Sequence, residues 1–141
     1  MWYGSNLTWG KDQADMDHVI KYAESSDGLH WKRDGSVVVG LGDASEYAAC
    51  RPCVLHERGL YRMWYCHRGE AYRLGYAESL DGRRWTRSRE GIGLEPSPWG
   101  WDSEMLAYPS VFRHRGRLHI LYNGNGYGRD GFGLAVSAEE S

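Results

Sequence analysis

Three acidic side chains stand shortly before two predicted strands that each carry a proline. Glu46 stands before Pro52, and Asp102 and Glu104 stand before Pro109. Two neighbouring carboxyl groups can serve a hydrolytic reaction, one as a general acid and the other as a base or nucleophile. We therefore predict Glu104 or Glu46 as a general acid. The alternative is that both are carboxylates at a rim, paired with arginines.

Two arginines, Arg51 and Arg68, are predicted to bind substrate. A planar guanidinium can hold a carboxylate, a phosphate or sugar hydroxyls through two parallel hydrogen bonds. The alternative for these arginines is a structural ion pair with Glu46. His56 and His67 could transfer protons, although a lone histidine in a strand is more often a packing or surface residue.

The segment 123–129 (NGNGYGR) is dense in glycine. It is not predicted to bind phosphate, because no helix follows that would offer its N-terminus. We predict a hairpin loop in which Asn123, Asn125 and Arg129 are ligand-binding residues, because amide and guanidinium groups can bind hydroxyl groups. The alternative is that its glycines only relieve backbone strain.

Short antiparallel strands are the elements predicted to position these residues. Apolar residues alternate along the chain, as they do on half-buried strands, and no stretch shows the spacing of a convincing helix. The dipeptides Arg58-Gly59 and Arg115-Gly116 predict tight hairpins between neighbouring strands.

One unit recurs along the chain: an aromatic strand, a second strand, an Asp-Gly turn and a tryptophan. It ends at Trp31 and at Trp85, and a weakened copy follows Ile120. Recurrence of this kind indicates a repeat architecture. The strands group as three, four and three, and a four-stranded antiparallel sheet is typical of a propeller blade. The fold class is therefore all-β, a single domain over 1–141 with blade segments at about 1–35, 46–88 and 103–138.

The tryptophans are predicted to differ in their surroundings. The first unit is predicted to end in a short outer strand at Trp31 and Lys32. Trp31 and Trp85 are predicted to occupy equivalent places and to pack between neighbouring blades. Trp99 and Trp101, in a long loop before the third unit, are predicted to be more exposed, with Trp101 stacking on a sugar ring.

Composition excludes several classes of function. The formal net charge of −2 shows no basic footprint for nucleic acid. No apolar run is long enough for a membrane helix and no signal peptide is visible, so we expect a cytoplasmic protein. Cys50 and Cys53 form a C-x-x-C in a predicted strand, where they would face opposite sides. We predict inert buried thiols, with no metal and no cofactor.

The repeated YAESxDGxxW strings, together with Arg51-Pro52 and Tyr108-Pro109, resemble the five-bladed β-propellers of glycoside hydrolase families 43, 32 and 68. The stretch 100–135 is similar to the C-terminal part of uncharacterised bacterial glycosidase-like propellers. This resemblance implies about two and a half antiparallel blades, the C-terminal half of a propeller. It further implies that the family's first blade, which carries the aspartate acting as nucleophile or base, has no counterpart in this sequence.

The resemblance also implies where the pocket lies. Inner strands line the axis of such propellers, and their mouths form the pocket. The residues that this places together are Glu46, Tyr47 and Arg51 in one blade and Asp102, Glu104 and Tyr108 in the next. We predict that Glu46, Arg51, Glu104 and Tyr108 lie close together at one end of the inner strands.

Two functions remain open from the sequence. The first is a glycoside hydrolase-like propeller fragment that binds or processes a glycan. The second is a non-catalytic carbohydrate-binding or assembly module whose ring is completed by another chain. Unpaired strand edges and apolar blade faces, predicted at Trp2, Tyr22, Val111 and Leu121, favour a homodimer. The rival is a heteromer with a separately encoded N-terminal half.

Overall fold

The computed structural model describes residues 1–9, 17–88, 90 and 92–138. In these residues the strands are β1 (Trp2–Asn6), β2 (His18–Tyr22), β3 (Val37–Val39), β4 (Ala48–Glu57), β5 (Leu60–Arg68), β6 (Tyr72–Ser79), β7 (Thr86–Arg87), β8 (Ala107–His114), β9 (Arg117–Asn123) and β10 (Phe132–Val136). A short helical turn, α1 (Asn125–Gly128), lies between β9 and β10. The all-β prediction is confirmed. The strands number three, four and three in the three groups, but the third strand of the first group lies at Val37–Val39, beyond the predicted segment 1–35.

The strands form three antiparallel blades. The first blade contains β1 to β3, the second β4 to β7 and the third β8 to β10. A single parallel pairing of His18 with Ala48 joins the first two blades into one continuous sheet. The predicted loop between β1 and β2 includes residues 10–16, which lie outside the described residues, as do 89 and 91 of the long loop before the third blade.

Two-residue turns connect β4 to β5 and β8 to β9. Arg58 and Gly59 have φ values of 52° and 79°, and Arg115 and Gly116 have values of 49° and 77°. Two successive positive φ values give the turn whose twist matches that of the flanking strands. Both predicted hairpins are confirmed.

The outer strand of the first blade differs from the prediction. Lys32 forms only one bridge, with Glu24. The ladder is instead formed by β3, in which Val39 pairs with Ile20 and Val37 with Lys21. The physical reason is that the valines are β-branched and suit a pleated surface, and Val39 is buried in the core.

Two hydrophobic clusters fill the spaces between the blades. The first contains Ile20, Val39, Ala49, Met63, Tyr65 and Ala77. The second contains Cys66, Leu74, Leu106, Ala107 and Tyr122. Alternation along β5 sends Tyr65 to the first cluster and Cys66 to the second. The second blade is therefore packed on both faces.

The predicted packing of the tryptophans is correct for Trp85 and wrong for Trp31. The Trp85 ring lies edge-on to Trp2 of the first blade, with their centres 5.8 Å apart. The side chain of Trp31 is 40% exposed, because no aromatic ring of the described residues covers it as Trp2 covers Trp85. Trp99 is exposed, as predicted.

One face of β10 carries a row of exposed apolar side chains. Phe132, Leu134 and Val136 are 71%, 57% and 38% exposed. Two of the residues predicted on uncovered faces are placed otherwise, because Val111 is buried and Trp2 packs against the first cluster.

Candidate functional site

The inner strands β4 and β8 are interrupted at equivalent positions, directly before their prolines. In each strand the register with its neighbour shifts at the proline. Arg51, before Pro52, has a φ of 54°, and Tyr108, before Pro109, has a φ of 57°. Positive φ is costly for a residue other than glycine, about 1–3 kcal/mol each. Such bulges redirect side chains and often lie beside functional sites.

The two bulges bring Arg51 and Tyr108 together. The central guanidinium carbon of Arg51 lies 5.0 Å from the centre of the Tyr108 ring. The Tyr108 ring is stacked on Tyr127, with centres 6.0 Å apart and planes 23° apart. Tyr72 completes the group, with its centre 6.2 Å from Tyr108 and 5.9 Å from Tyr127.

Arg68 lies on the other side of these tyrosines. Its Nη1 donates a 2.9 Å hydrogen bond to the hydroxyl of Tyr127. Its guanidinium carbon lies 5.1 Å from the centre of the Tyr72 ring and 5.5 Å from that of Tyr47. We call Arg51, Arg68, Tyr47, Tyr72, Tyr108 and Tyr127 the arginine–tyrosine cluster. It joins residues of the second and third blades at one end of the inner strands.

Glu46 belongs to a different network. Its Oε1 accepts a 2.8 Å hydrogen bond from Nη2 of Arg87, and its Oε2 accepts hydrogen bonds of 2.9 Å from Nη1 of Arg87 and 2.6 Å from the Gly42 N–H. The Nδ1 atom of His67 lies 2.9 Å from Oε1. Neither Arg51 nor Arg68 pairs with Glu46. The alternative suggested by the sequence, a carboxylate paired with an arginine, therefore describes Glu46, and the arginine is Arg87.

The pKa of Glu46 disfavours proton donation. Burial alone would raise it, but the hydrogen bonds from Arg87 and from the Gly42 N–H outweigh burial, and the pKa is lowered. A general acid at neutral pH needs a raised pKa. Burial lowers the pKa of His67, so its imidazole is held neutral. The Glu46 network therefore fits a role in stabilising the fold better than a role in proton transfer.

Arg73 contacts both the cleft that contains Glu46 and the backbone of Tyr72, a member of the arginine–tyrosine cluster. It lines this cleft, of about 570 Å³, together with Glu46, His67 and Arg87. Its Nη1 donates hydrogen bonds of 2.8 Å and 2.9 Å to the carbonyl oxygens of Tyr72 and Glu104. Of the four residues predicted to converge, the structure thus joins Arg51 and Tyr108, places Glu104 near them through Arg73, and holds Glu46 apart in its own network.

Asn123 and Asn125 shape the loops around the cluster. The buried Asn125 side chain accepts hydrogen bonds from the Glu104 and Met105 N–H groups, at 2.8 Å and 3.3 Å, and donates to the Gly100 carbonyl. Asn123 donates a 3.0 Å hydrogen bond to the Tyr127 carbonyl. Both amides hold backbone in place, and their contacts to sugar stay predictions.

The remaining predicted ligand residues also have protein partners. Trp101 is stacked on Tyr122, with ring centres 5.5 Å apart. The buried Asp102 accepts a 3.1 Å hydrogen bond from the Tyr122 hydroxyl. Arg129 forms an exposed ion pair with Asp130. The side chain of Glu104 is exposed, and it is the candidate carboxylate left beside the cluster.

Two cysteines lie directly beneath the cluster. Cys50 on β4 and Cys66 on β5 are paired across the sheet, and Cys66 Sγ accepts a 2.8 Å hydrogen bond from the Tyr108 N–H. A hydrogen bond from Cys66, assisted by Tyr72 and Arg51, lowers the pKa of Cys50 to about 7. Cys50 and Cys53 are both only half-buried, so the prediction of buried thiols is wrong for these two residues, and their lack of reactivity stays a prediction.

Sequence reasoning missed two members of the cluster, Tyr72 and Tyr127, and the partner of Glu46, Arg87. Tyr127 lies inside the glycine-dense loop that was predicted to bind a ligand, so an aromatic residue in that loop could have indicated its role in the cluster.

Among the described residues, no group of three or more His, Cys, Asp or Glu is placed to hold a metal ion. None of the described helical residues forms a helix long and apolar enough to span a membrane.

The fold is that of the β-propeller glycoside hydrolases. One solved structure, called "Glycoside hydrolase", matches with a TM-score of 0.76 at 19% identity, over 99% of this chain and 41% of its own. The family 32 β-fructofuranosidase BmSUC1 of Bombyx mori gives 0.74 at 15% identity, over 96% and 30%. A thermostable family-43 glycoside hydrolase gives 0.70 at 18% identity, over 96% and 48%. The predicted partial propeller of this kind is confirmed.

Relatives by sequence come from Mycobacterium tuberculosis. The uncharacterized protein MT1551 of strain CDC 1551 is 51% identical over 136 residues, and the uncharacterized protein Rv1502 of strain H37Rv is 50% identical over 136 residues. Both matches cover 96% of this chain and 46% of the relative, so the chain spans about half of the relatives' length. No family model matches the chain.

Proposed function

We propose that this chain forms part of a propeller that binds a glycan at the arginine–tyrosine cluster. The observation that carries the proposal is the pair of strained bulges that aim Arg51 and Tyr108 at each other. Aromatic faces pack against the apolar faces of sugar rings, and guanidinium groups bind the polar substituents. The fold supports this, because its structural neighbours are named as glycoside hydrolases.

Processing of the glycan would rest on Glu104. Its side chain is exposed, and its backbone is tied to the cluster through Arg73. Glycoside hydrolysis requires a second carboxylate across the scissile bond. We propose that this second carboxylate comes from another blade of the ring, because Glu46 is committed to Arg87.

A glycan array followed by calorimetry tests the binding proposal. Tyr127→Ala should weaken binding of any glycan that the array identifies, because the exposed ring is removed from the wall of the cluster. Trp99→Ala is the matched control, since it removes an exposed ring outside the cluster. Failure of every glycan to bind, or equal losses in both variants, would reject the proposal. If the protein hydrolyses a bound glycan and Glu104→Gln abolishes that hydrolysis, the proposed site is catalytic as well as glycan-binding.

The second candidate is an assembly role, favoured by the exposed row of Phe132, Leu134 and Val136 on β10. In a propeller, each face of a blade packs against a neighbouring blade. We propose that this row packs against a blade supplied by a second copy of the chain, giving a homodimer. Light scattering should show a dimer that Leu134→Asp dissociates. A monomer at micromolar concentration would contradict the homodimer, and a mixed complex would identify a different partner chain.

A further inference from the structure

We propose that the arginine–tyrosine cluster recognises the anionic group of an acidic sugar, either a carboxylate or a sulfate or phosphate ester. This inference rests on the proposed glycan-binding function and specifies the chemistry of its ligand. Two observations support it: Arg51 and Arg68 have no carboxylate partner among the described residues, and the groups around them are rich in hydrogen-bond donors.

Arg51 and Arg68 have no carboxylate partner in the part of the chain that the structure describes. Several other arginines are paired with carboxylates, among them Arg83 with Glu24, Arg87 with Glu46, and Arg113 with Glu57, whereas Arg73 and Arg117 donate to backbone carbonyls. The Nε atom of Arg68 is buried and has no hydrogen-bond partner among the described residues. A buried donor without an acceptor requires an explanation, and a bound anion beside the guanidinium would supply one.

The tyrosines hold both guanidinium groups in fixed orientations. Arg51 lies over Tyr108 and Arg68 lies over Tyr72, with 5.0 Å and 5.1 Å between guanidinium carbon and ring centre. A guanidinium stacked on a ring keeps its N–H groups in its own plane, where they remain available as a fork. Less side-chain entropy is lost on binding when the fork is already positioned.

The two arginines make the cluster rich in donors, and its four tyrosine hydroxyls can each donate as well as accept. Each guanidinium carries only donors. Nearby Arg73 adds a further positive charge, and its Nη1 is bonded to backbone carbonyls instead of a carboxylate. A neutral sugar hydroxyl both donates and accepts, whereas a carboxylate or ester oxygen only accepts. The donor-rich cluster therefore fits an anionic substituent better than a neutral hydroxyl. Glu104 is the carboxylate closest in sequence to Tyr108, and the hydrogen bonds found for it involve its backbone.

Binding measurements on charge-matched glycans test this inference. The probes are oligogalacturonate, its methyl ester, galactose oligomers bearing 6-sulfate, mannose 6-phosphate oligomers, and the corresponding neutral oligomers. At least one anionic probe should bind about tenfold or more tightly than its neutral form, since hydrogen bonds to charged groups are stronger than those between neutral groups. The preference should weaken as salt is raised. Which anionic probe binds identifies the carboxylate or the ester as the ligand.

Arginine variants locate the anion. Arg51→Gln, at an exposed side chain, and Arg68→Lys, which keeps the charge but removes the fork, should each reduce binding of the anionic probe about tenfold more than they reduce binding of the neutral form. Arg84→Gln is the control, because that side chain is 93% exposed on a distant turn. Circular dichroism checks that each variant is folded. If Arg68→Lys does not fold, the result for Arg51→Gln decides the test by itself.

Three results would overturn the inference. Equal binding of neutral and anionic probes would leave the proposed glycan site standing but remove its acidic specificity. A charge preference that survives both arginine substitutions would place the anion elsewhere. If no probe binds and the glycan array is also empty, the proposed function fails together with this inference.

Discussion

Two turns in this protein have the same sequence pattern and the same hydrogen bonds, yet different surroundings. In the turn Ser25–Trp31, the Ser25 hydroxyl accepts from the Gly28 N–H at 2.8 Å, and the Trp31 indole donates to the Gly28 carbonyl at 3.1 Å. In the turn Ser79–Trp85, the equivalent distances are 2.8 Å and 3.0 Å. The local chemistry of the two turns is therefore the same.

Tertiary contacts separate the two turns. The Gly82 carbonyl also accepts a 2.7 Å hydrogen bond from the indole of Trp2, and Trp85 lies edge-on to Trp2 and Tyr61. At the serine position, Ser79 is buried and Ser25 is partly exposed. At the tryptophan position, Trp85 is partly buried and Trp31 is 40% exposed. The comparison teaches that a turn sequence fixes its own hydrogen bonds, but the stability that the turn contributes depends on what packs against it.

The largest difference is expected for the tryptophans. Trp85→Ala should lower the free energy of unfolding by about 3 kcal/mol, because it leaves a cavity between two blades. Trp31→Ala should lower it by about 1 kcal/mol or less, as is usual for surface sites. Urea denaturation of both variants measures the difference. Equal losses would show that Trp31 is packed in solution as Trp85 is.

The glycines should show a smaller difference. Gly28 and Gly82 have φ values of 74° and 71°, so alanine costs about 1 kcal/mol of backbone strain at either place. A Cβ at Gly82 would also lie 3.1 Å from the Trp2 ring, whereas one at Gly28 would meet nothing within 4 Å. We expect Gly82→Ala to destabilise by about 2 kcal/mol in total. Thermal unfolding of the pair checks this, and a milder effect at Gly82 would contradict the packing.

The serines should differ by about 1 kcal/mol. Ser79→Ala leaves the buried Gly82 N–H without its acceptor, which costs about 1–2 kcal/mol. Ser25→Ala exposes the Gly28 N–H to water, so its loss should be about 0.5 kcal/mol. The same denaturation measurement applies. A larger loss at Ser25 would reverse the comparison.

The aspartates should behave alike, which gives the smallest expected difference. A hydrogen bond from the His30 side chain lowers the pKa of Asp27, and one from the Arg84 N–H lowers that of Asp81. Each ionised carboxylate therefore contributes stability above its unfolded-state pKa, and the contribution is lost as pH falls through the folded-state pKa. Asp27→Asn and Asp81→Asn should both destabilise at pH 7 and lose that effect in acid. Unequal pH profiles for the two variants would show that the tertiary surroundings of the turns affect these exposed carboxylates as well.

Much of the fold could be predicted from sequence, but only part of the site. The repeat predicted the blades. The equivalence of Arg51-Pro52 and Tyr108-Pro109 predicted that these two positions correspond, and the structure has a bulge at each. The strand at Val37–Val39 was missed, because an isolated run of three valines gives no pairing partner. Glu46 was grouped with Glu104, because sequence spacing does not show that Arg87 on the outer strand reaches across to it.

The sequence by itself determined the elements whose hydrogen bonds close within a few residues. These are the Asp-Gly turns, the Arg-Gly hairpins and the alternation that makes the chain all-β. Their geometry depends on local φ values and short-range acceptors, which the residue types specify.

Only the tertiary structure decided which side chains meet across blades. It covered Trp85 and left Trp31 exposed, engaged Glu46 with Arg87, and left Arg51 and Arg68 facing tyrosines instead of carboxylates. These outcomes depend on contacts between residues dozens of positions apart. The twist and packing of whole blades set such contacts, and no single segment contains that information.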